Sequence, residues 1–198
     1  MDQRSHSCQC KCCGEQPDSG RRSMLTGALA LAIASSMPSG PARAERSPKP
    51  EPGDRLAFML GERAQQEIKP ADIEIGKEPT LAYPLDVASG KALISRVSLL
   101  VVTRLKPEDL LPSSKPNAAD GIVAFSAICT HYGCPVTTLH PSQSQLVCNC
   151  HGSVFNAADR GAVTAGPATR RLSMLPLVIR DGVLEVAGRL DGPIGPPT

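Results

Sequence analysis

Cys129-Thr-His-Tyr-Gly-Cys134, followed further along by Cys148-Asn-Cys-His-Gly-Ser153, is the stretch whose reading decides the fold of this chain. Each half offers one Cys and one His at ligand spacing, first Cys129-x-His131 and then Cys148-x-x-His151, with 16 residues between His131 and Cys148. Each half also holds a further Cys (Cys134, Cys150) and a Gly (Gly133, Gly152) suited to a tight loop turn. Two thiolates with two imidazoles suit zinc as well as iron. A zinc finger, however, sets a Cys pair before a His pair that is about three to five residues apart on a helix. Here Cys and His are mixed within each half, and the halves lie in separate Gly-turned loops.

The flanking segments read as strands. Gly121–Cys129 (GIVAFSAIC) runs straight into the first Cys, and Leu146–Cys148 and Val154–Asn156 flank the second pair. Arg96–Leu105 (RVSLLVVTRL) is a β-branched run, Thr80–Asp86 alternates loosely, and Leu172–Arg180 with Val183–Arg189 reads as a hairpin turned at Asp181-Gly182. Asp54–Gln66 has the composition of one short helix, and Pro107–Asp120 that of a polar loop. The 17 Gly and 19 Pro punctuate the chain too densely for a helix-rich fold. The expectation is therefore an all-β domain of antiparallel sheets, with the two cysteine loops projecting as a small subdomain.

The formal net charge is +2, and residues 1–44 carry all of it, with five basic and three acidic residues. The remainder is neutral, which removes any electrostatic reason to expect nucleic acid as a partner. The eight Cys fall into two local groups, Cys8, Cys10, Cys12 and Cys13 at the start, and Cys129, Cys134, Cys148 and Cys150 later. Such clustering points to local chemistry and not to a disulfide framework spread through the fold.

Arg21-Arg22 precedes an apolar run, Gly27–Met37, then Pro38-Ser39-Gly40-Pro41 and the small-x-small Ala42-Arg43-Ala44. This resembles a twin-arginine export signal with a peptidase site, so residues 1–44 read as an address to the periplasm. The 14 residues from Met24 to Met37 fall short of the roughly 20 that a membrane span needs. The early cysteines would be lost with the signal; metal binding before export is the other reading. Glu45–Gly53 (ERSPKPEPG) is a linker by composition.

The two boxes resemble the Rieske iron–sulfur family closely. That resemblance implies one 2Fe–2S cluster, with Cys129 and Cys148 on one iron and His131 and His151 on the other. Cys134 and Cys150 match the family's disulfide, which ties the loops together. Gly166-Pro167-Ala168 resembles a third, Pro-containing loop that covers the cluster. The implied layout is 1–44 signal or retained anchor, 45–75 linker and N-terminal segment, and 76–198 the Rieske domain, its cluster-binding part about 125–170. A retained anchor stays open because some members keep an uncleaved N-terminal helix.

Ligand choice sets the electronics. Two neutral imidazoles in place of two thiolates leave the oxidised centre neutral instead of doubly negative. The potential then rises to roughly −150 to +300 mV, against about −400 mV for all-thiolate ferredoxins. Ser153 matches a hydroxyl that donates to a bridging sulfide in high-potential relatives, while Phe155 stands where those relatives have a Tyr that donates to a ligand cysteine. An exposed ligand His can accept a hydrogen bond from a quinol and take up its proton with the electron.

The implied function is exported one-electron transfer, as a subunit or partner of a respiratory oxidoreductase and not as a catalyst alone. Two homes compete, a quinol-oxidising complex with a cytochrome b, and a molybdenum oxidase such as arsenite oxidase; a c-type cytochrome or similar protein would be the acceptor. The disulfide pair argues against a Rieske ferredoxin serving an oxygenase. An oxygenase's own mononuclear iron site is ruled out because His140 is the spare His of the body. A non-redox binding module that keeps the fold is the remaining alternative. His140 reads as solvated, and His6 lies in the signal.

Overall fold

The computed structural model describes residues 47–197, so every reading of residues 1–44 lies outside them. The first sheet contains β1 (Arg55–Phe58), β2 (Thr80–Asp86), β3 (Lys91–Ala92), β4 (Leu100–Arg104), β5 (Ile122–Ser126) and β10 (Met174–Leu175). They run antiparallel in the order β1-β2-β4-β5-β10, with β3 paired to β2. The second sheet contains β6 (Thr138–Leu139), β7 (Gln145–Cys148), β8 (Ser153–Asn156) and β9 (Ala162–Ala165), in chain order. The hairpin β11 (Leu177–Arg180) and β12 (Val183–Val186) completes the set. Helical structure among the described residues is confined to short 3-10 turns, and the fold is all-β.

The second sheet is an insertion into the first. The chain leaves at the end of β5 and returns at β10, where Met174 pairs with Phe125 and Leu175 with Ala124. Just beyond that pairing, the Ser126 N–H donates to the Ser173 carbonyl at 2.8 Å. Both ends of the inserted subdomain are thus welded to neighbouring strands.

Strands β4 and β5 are buried on both faces, apart from Arg104 at the end of β4. Period-two alternation sends Val101, Val123 and Phe125 into one core, which continues through Val136, Leu146 and Phe155 to Cys129 and Cys148. Leu100, Val102, Ile122 and Ala124 enter the other core, with Leu56, Leu175, Leu184 and Val186. A pair of strands with apolar residues at nearly every position is what a central layer requires. The loops that carry Cys129 and Cys148 therefore stand on a layer braced from behind.

Several boundaries depart from the sequence reading. Asp54–Gln66 is not a helix: Arg55–Phe58 is edge strand β1, with Leu56 opposite Pro84. The left-handed glycines Gly53 and Gly61 leave seven residues between them, fewer than the roughly 12–15 that an isolated helix needs to persist, while a sheet edge supplies partners. Arg96–Ser98 forms a 3-10 turn ahead of β4, its first N–H groups served by the Ser95 hydroxyl acting as acceptor for Val97. Pro107–Asp109 and Lys115–Asn117 form similar turns within the expected loop. Pro176, which has no N–H to donate, splits Leu172–Arg180 into β10 and β11 at the point where the chain changes sheets. Asp181-Gly182 makes the expected hairpin turn, with φ values of 50° and 78°.

Asp191 clasps the C-terminal segment to the subdomain. Its carboxylate accepts from Arg160 Nε at 2.7 Å, Arg171 Nη1 at 2.8 Å and the Met174 N–H at 2.7 Å, with its side chain 13% exposed. Burial alone would push this carboxyl upward, but the Arg171 and Arg160 guanidiniums outweigh it and hold it below the ordinary value. A depressed native value means that the clasp contributes fully above the unfolded carboxyl value of about 3.9 and is lost as pH falls through the folded one. Asp191→Asn is expected to cost about 2 kcal/mol at neutral pH, because it leaves two guanidiniums unpaired. Urea unfolding at pH 7 and again near pH 3 checks this: the difference from wild type should shrink in acid.

Candidate metal centre

Two loops meet at the end of the inserted subdomain. The first runs from β5 to Pro135, and its turn is closed by the Gly133 N–H on the Cys129 carbonyl (2.9 Å) and the Cys129 N–H on the Cys134 carbonyl (2.8 Å). The second connects β7 to β8 and repeats the device with the Gly152 N–H on the Cys148 carbonyl at 3.0 Å. Gly133 and Gly152 both have positive φ, 79° and 72°, which gives those turns a physical reason for glycine. Cys134 and Cys150 form a disulfide with a Cα–Cα distance of 6.5 Å, tying the loop tips together.

The two remaining thiols, Cys129 and Cys148, are each 1% exposed and lie close enough to influence each other's ionisation. Burial, with the neighbouring Cys129 adding to it, pushes the Cys148 thiol upward, against the backbone N–H groups of Cys150 and His151, which point at its sulfur. The rings of His131 and His151 lie 4.8 Å apart, nearly edge to face. His131 Nδ1 is buried and has no hydrogen-bond partner. An orphaned ring nitrogen beside paired buried thiols, with N–H groups aimed at sulfur, fits a bound iron–sulfur group far better than an empty loop. The sulfurs of Cys134, Cys148 and Cys150 lie within 4.8 Å of one another, but two of them are consumed by the disulfide, so this trio is no separate ligand set.

The surroundings are layered. Phe155 is fully buried in the core that contains both thiols. Ser153 is also fully buried, and its hydroxyl oxygen accepts the Ala168 N–H at 3.2 Å, which leaves the hydroxyl proton free to donate. Gly166, Pro167 and Ala168 form a third loop pressed onto the second: a Cβ at Gly166 would stand 2.5 Å from the Gly152 carbonyl oxygen. Pro167 itself is exposed. Two residues were not singled out from sequence. Thr130 is 1% exposed, and its hydroxyl donates to the Arg170 carbonyl at 2.6 Å; Arg96 Nη2 donates to the Gly133 carbonyl at 3.0 Å. Local sequence carries no signal for either, since both partners are distant in the chain. His140 is exposed and bonded to Ser142, well accounted for without a metal.

An antiparallel β domain presenting two cysteine–histidine loops, cross-linked over a pair of buried thiols, defines an iron–sulfur protein of the Rieske class. Residues 87–176 match the family described as the Rieske 2Fe–2S domain. The chain is 30% identical over 161 residues to the cytochrome bc1 complex Rieske iron–sulfur subunit of Streptomyces lividans, covering 74% of this chain and 94% of that one. It is 40% identical over 77 residues to a protein of Haloferax mediterranei named for a respiratory nitrate reductase Rieske subunit, covering 38% and 34%. A cyanobacterial plasma-membrane Rieske protein from Synechocystis is 30% identical with a TM-score of 0.33, covering 44% and 75%. The chain belongs to the Rieske 2Fe–2S family, and its cofactor is one 2Fe–2S cluster. Its share of its relatives varies widely, from 94% of the Streptomyces lividans protein to 18% of the Corynebacterium diphtheriae subunit.

Gly166→Ala is expected to dislodge the third loop, since both its φ of 84° and the close Gly152 backbone forbid a side chain. Iron content per protein should fall and the melting temperature with it. Unchanged iron and Tm would show that the third loop does not cover the site.

Proposed function

We propose that Cys129 and Cys148 hold one iron, that His131 and His151 hold the other, and that the chain is the exported electron-transfer subunit of a quinol-oxidising complex of the cytochrome bc type. The carrying observation is an asymmetry of burial: both thiols are 1% exposed, whereas His151 is open to solvent and its neighbour Tyr132 is 76% exposed. Electrons would enter and leave at the imidazole end. The cluster supplies one-electron chemistry, at a potential raised by the two neutral imidazole ligands. Cys129 and Cys148 would hold it from the buried side, Phe155 and Ala168 exclude water there, and the Ser153 hydroxyl proton would be available to donate to it. His151, open to solvent, would accept a hydrogen bond from quinol at a ring nitrogen and hold its proton there.

Relatives named as cytochrome bc1 subunits support this assignment. Export by the twin-arginine signal in residues 1–44, into the periplasm and with membrane association through the complex, completes the reading, and oxidising surroundings suit the Cys134–Cys150 disulfide. Among the described residues no helix is long and apolar enough to cross a membrane. Phe155 favours a second reading, a subunit of a molybdenum oxidase: its buried ring offers no hydroxyl to a ligand sulfur, which lowers the potential.

Purification of the tagged chain from native membranes tests the two. Co-purification of a cytochrome b with quinol–cytochrome c reductase activity supports the first reading; a molybdenum subunit without cytochrome b rejects it. Phe155→Tyr should raise the potential by about 30 mV, a threefold change in the reduction equilibrium. Voltammetry that finds no rise refutes the part assigned to the missing hydroxyl.

A further inference from the structure

Arg96 and Arg170 touch the structures around the first cluster loop from different sides, and neither belongs to an ion pair among the described residues. The guanidiniums of Arg55, Arg63, Arg104, Arg160, Arg171 and Arg180 all meet carboxylates. Arg96 instead donates to the Gly133 carbonyl inside the loop, and the guanidinium is held close enough that a Cβ at Gly133 would stand 3.0 Å from Nη2. It is launched from the Ser95-capped 3-10 turn, whose Ser98 hydroxyl donates to the Leu93 carbonyl at 2.6 Å, so the base of the side chain is fixed. It lines an open cleft of about 630 Å³ together with Tyr83, Leu99, Ile128, Tyr132 and Pro135, where its exposed charge is accessible to salt.

Arg170 works from the other flank. Its carbonyl accepts the Thr130 hydroxyl, its Nη2 donates to the Gly195 carbonyl, and its Nε is buried without a partner. The tail so held lies against the same loop: Cβ positions on Gly195 and Gly133 would meet Ile128 Cγ2 at 3.2 Å and Pro196 Cδ at 3.6 Å. The loop is thus held by the Arg96 guanidinium on the Gly133 carbonyl and by the Arg170 backbone carbonyl on Thr130, while the Arg170 guanidinium is spent on the Gly195 carbonyl of the adjoining tail; neither guanidinium meets a carboxylate.

We propose that Arg96, seconded by Arg170, is a positioning residue that also sets the reduction potential, its uncompensated cation stabilising the centre when it takes up an electron. This rests on the reading that the Cys129–Cys134 loop holds cluster ligands. A positive charge beside a group that gains a negative one favours the reduced form, so its removal lowers the potential. An open cation is also screened by salt, whereas a fixed loop geometry is not.

The test is potentiometry of the cluster-loaded full chain at low and high ionic strength, with Arg96→Gln, Arg96→Lys and Arg170→Gln beside wild type. We expect Arg96→Gln to lower the reduction equilibrium constant by about threefold to tenfold, roughly 30–60 mV at 59 mV per tenfold for one electron. Arg170→Gln should shift it in the same direction, Arg96→Lys should keep most of the wild-type value, and added salt should lower wild type more than Arg96→Gln. An unchanged potential in Arg96→Gln overturns the proposal. So does an Arg96→Lys shift as large as that of Gln, which would leave geometry alone as the cause. If Arg96→Gln fails to load its cluster, Arg170→Gln and the salt dependence of wild type decide: an unchanged potential in the first, or a wild-type potential indifferent to salt, overturns the proposal. Loss of the reduced-cluster EPR signal on replacing Cys129 tests the underlying ligand reading separately.

Discussion

Two cysteine sulfurs kept out of water at the meeting point of two loops are the constraint on which this molecule turns. Buried thiols gain little by themselves, and burial pushes Cys148 away from the ionised form that a metal needs. The loops therefore have to be held in place by other forces. A disulfide joins their tips, Gly133 and Gly152 turn them at positive φ, Gly166 lets the third loop approach the second backbone to backbone, and the Cys150 and His151 N–H groups supply the polarity that the apolar surroundings lack. On the proposed ligand assignment, iron would offset the cost of burying these thiols, which would tie cofactor loading to folding.

The support for those loops comes from below. Strands β4 and β5 present Val101, Val123 and Phe125 to the cluster side and Leu100, Val102, Ile122 and Ala124 to the far side, so neither face can shift without disturbing a packed core. The inserted sheet begins and ends on this layer, and the Asp191 clasp secures its return. Precision at the metal centre is thereby borrowed from a layer with no chemistry of its own. The imidazole end is the opposite case: His151 and Tyr132 project where a redox partner can reach them, within the family's role in electron transport.

The central strands, the Asp181-Gly182 hairpin and the two loops were legible because each is a local pattern, a β-branched run or a fixed ligand spacing. Asp54–Gln66 misled because its short-range preferences are weak and an unpaired sheet edge overrode them at Arg55–Phe58. Leu172–Arg180 misled for a different reason: two β-rich runs look continuous until Pro176 is seen at the corner where the chain passes from one sheet to another. Thr130, Arg96 and Arg170 were invisible, since nothing near them in sequence announces a partner about 40 residues distant.

By itself the amino-acid order determined the class of cofactor and the all-β character, because ligand type, ligand spacing and strand periodicity are properties of short segments. Tertiary structure alone decided which sulfurs are buried, which imidazole faces outward, and which charges surround the loop without a counterion. Those depend on segments far apart in the chain meeting at one place, and no local pattern encodes that meeting.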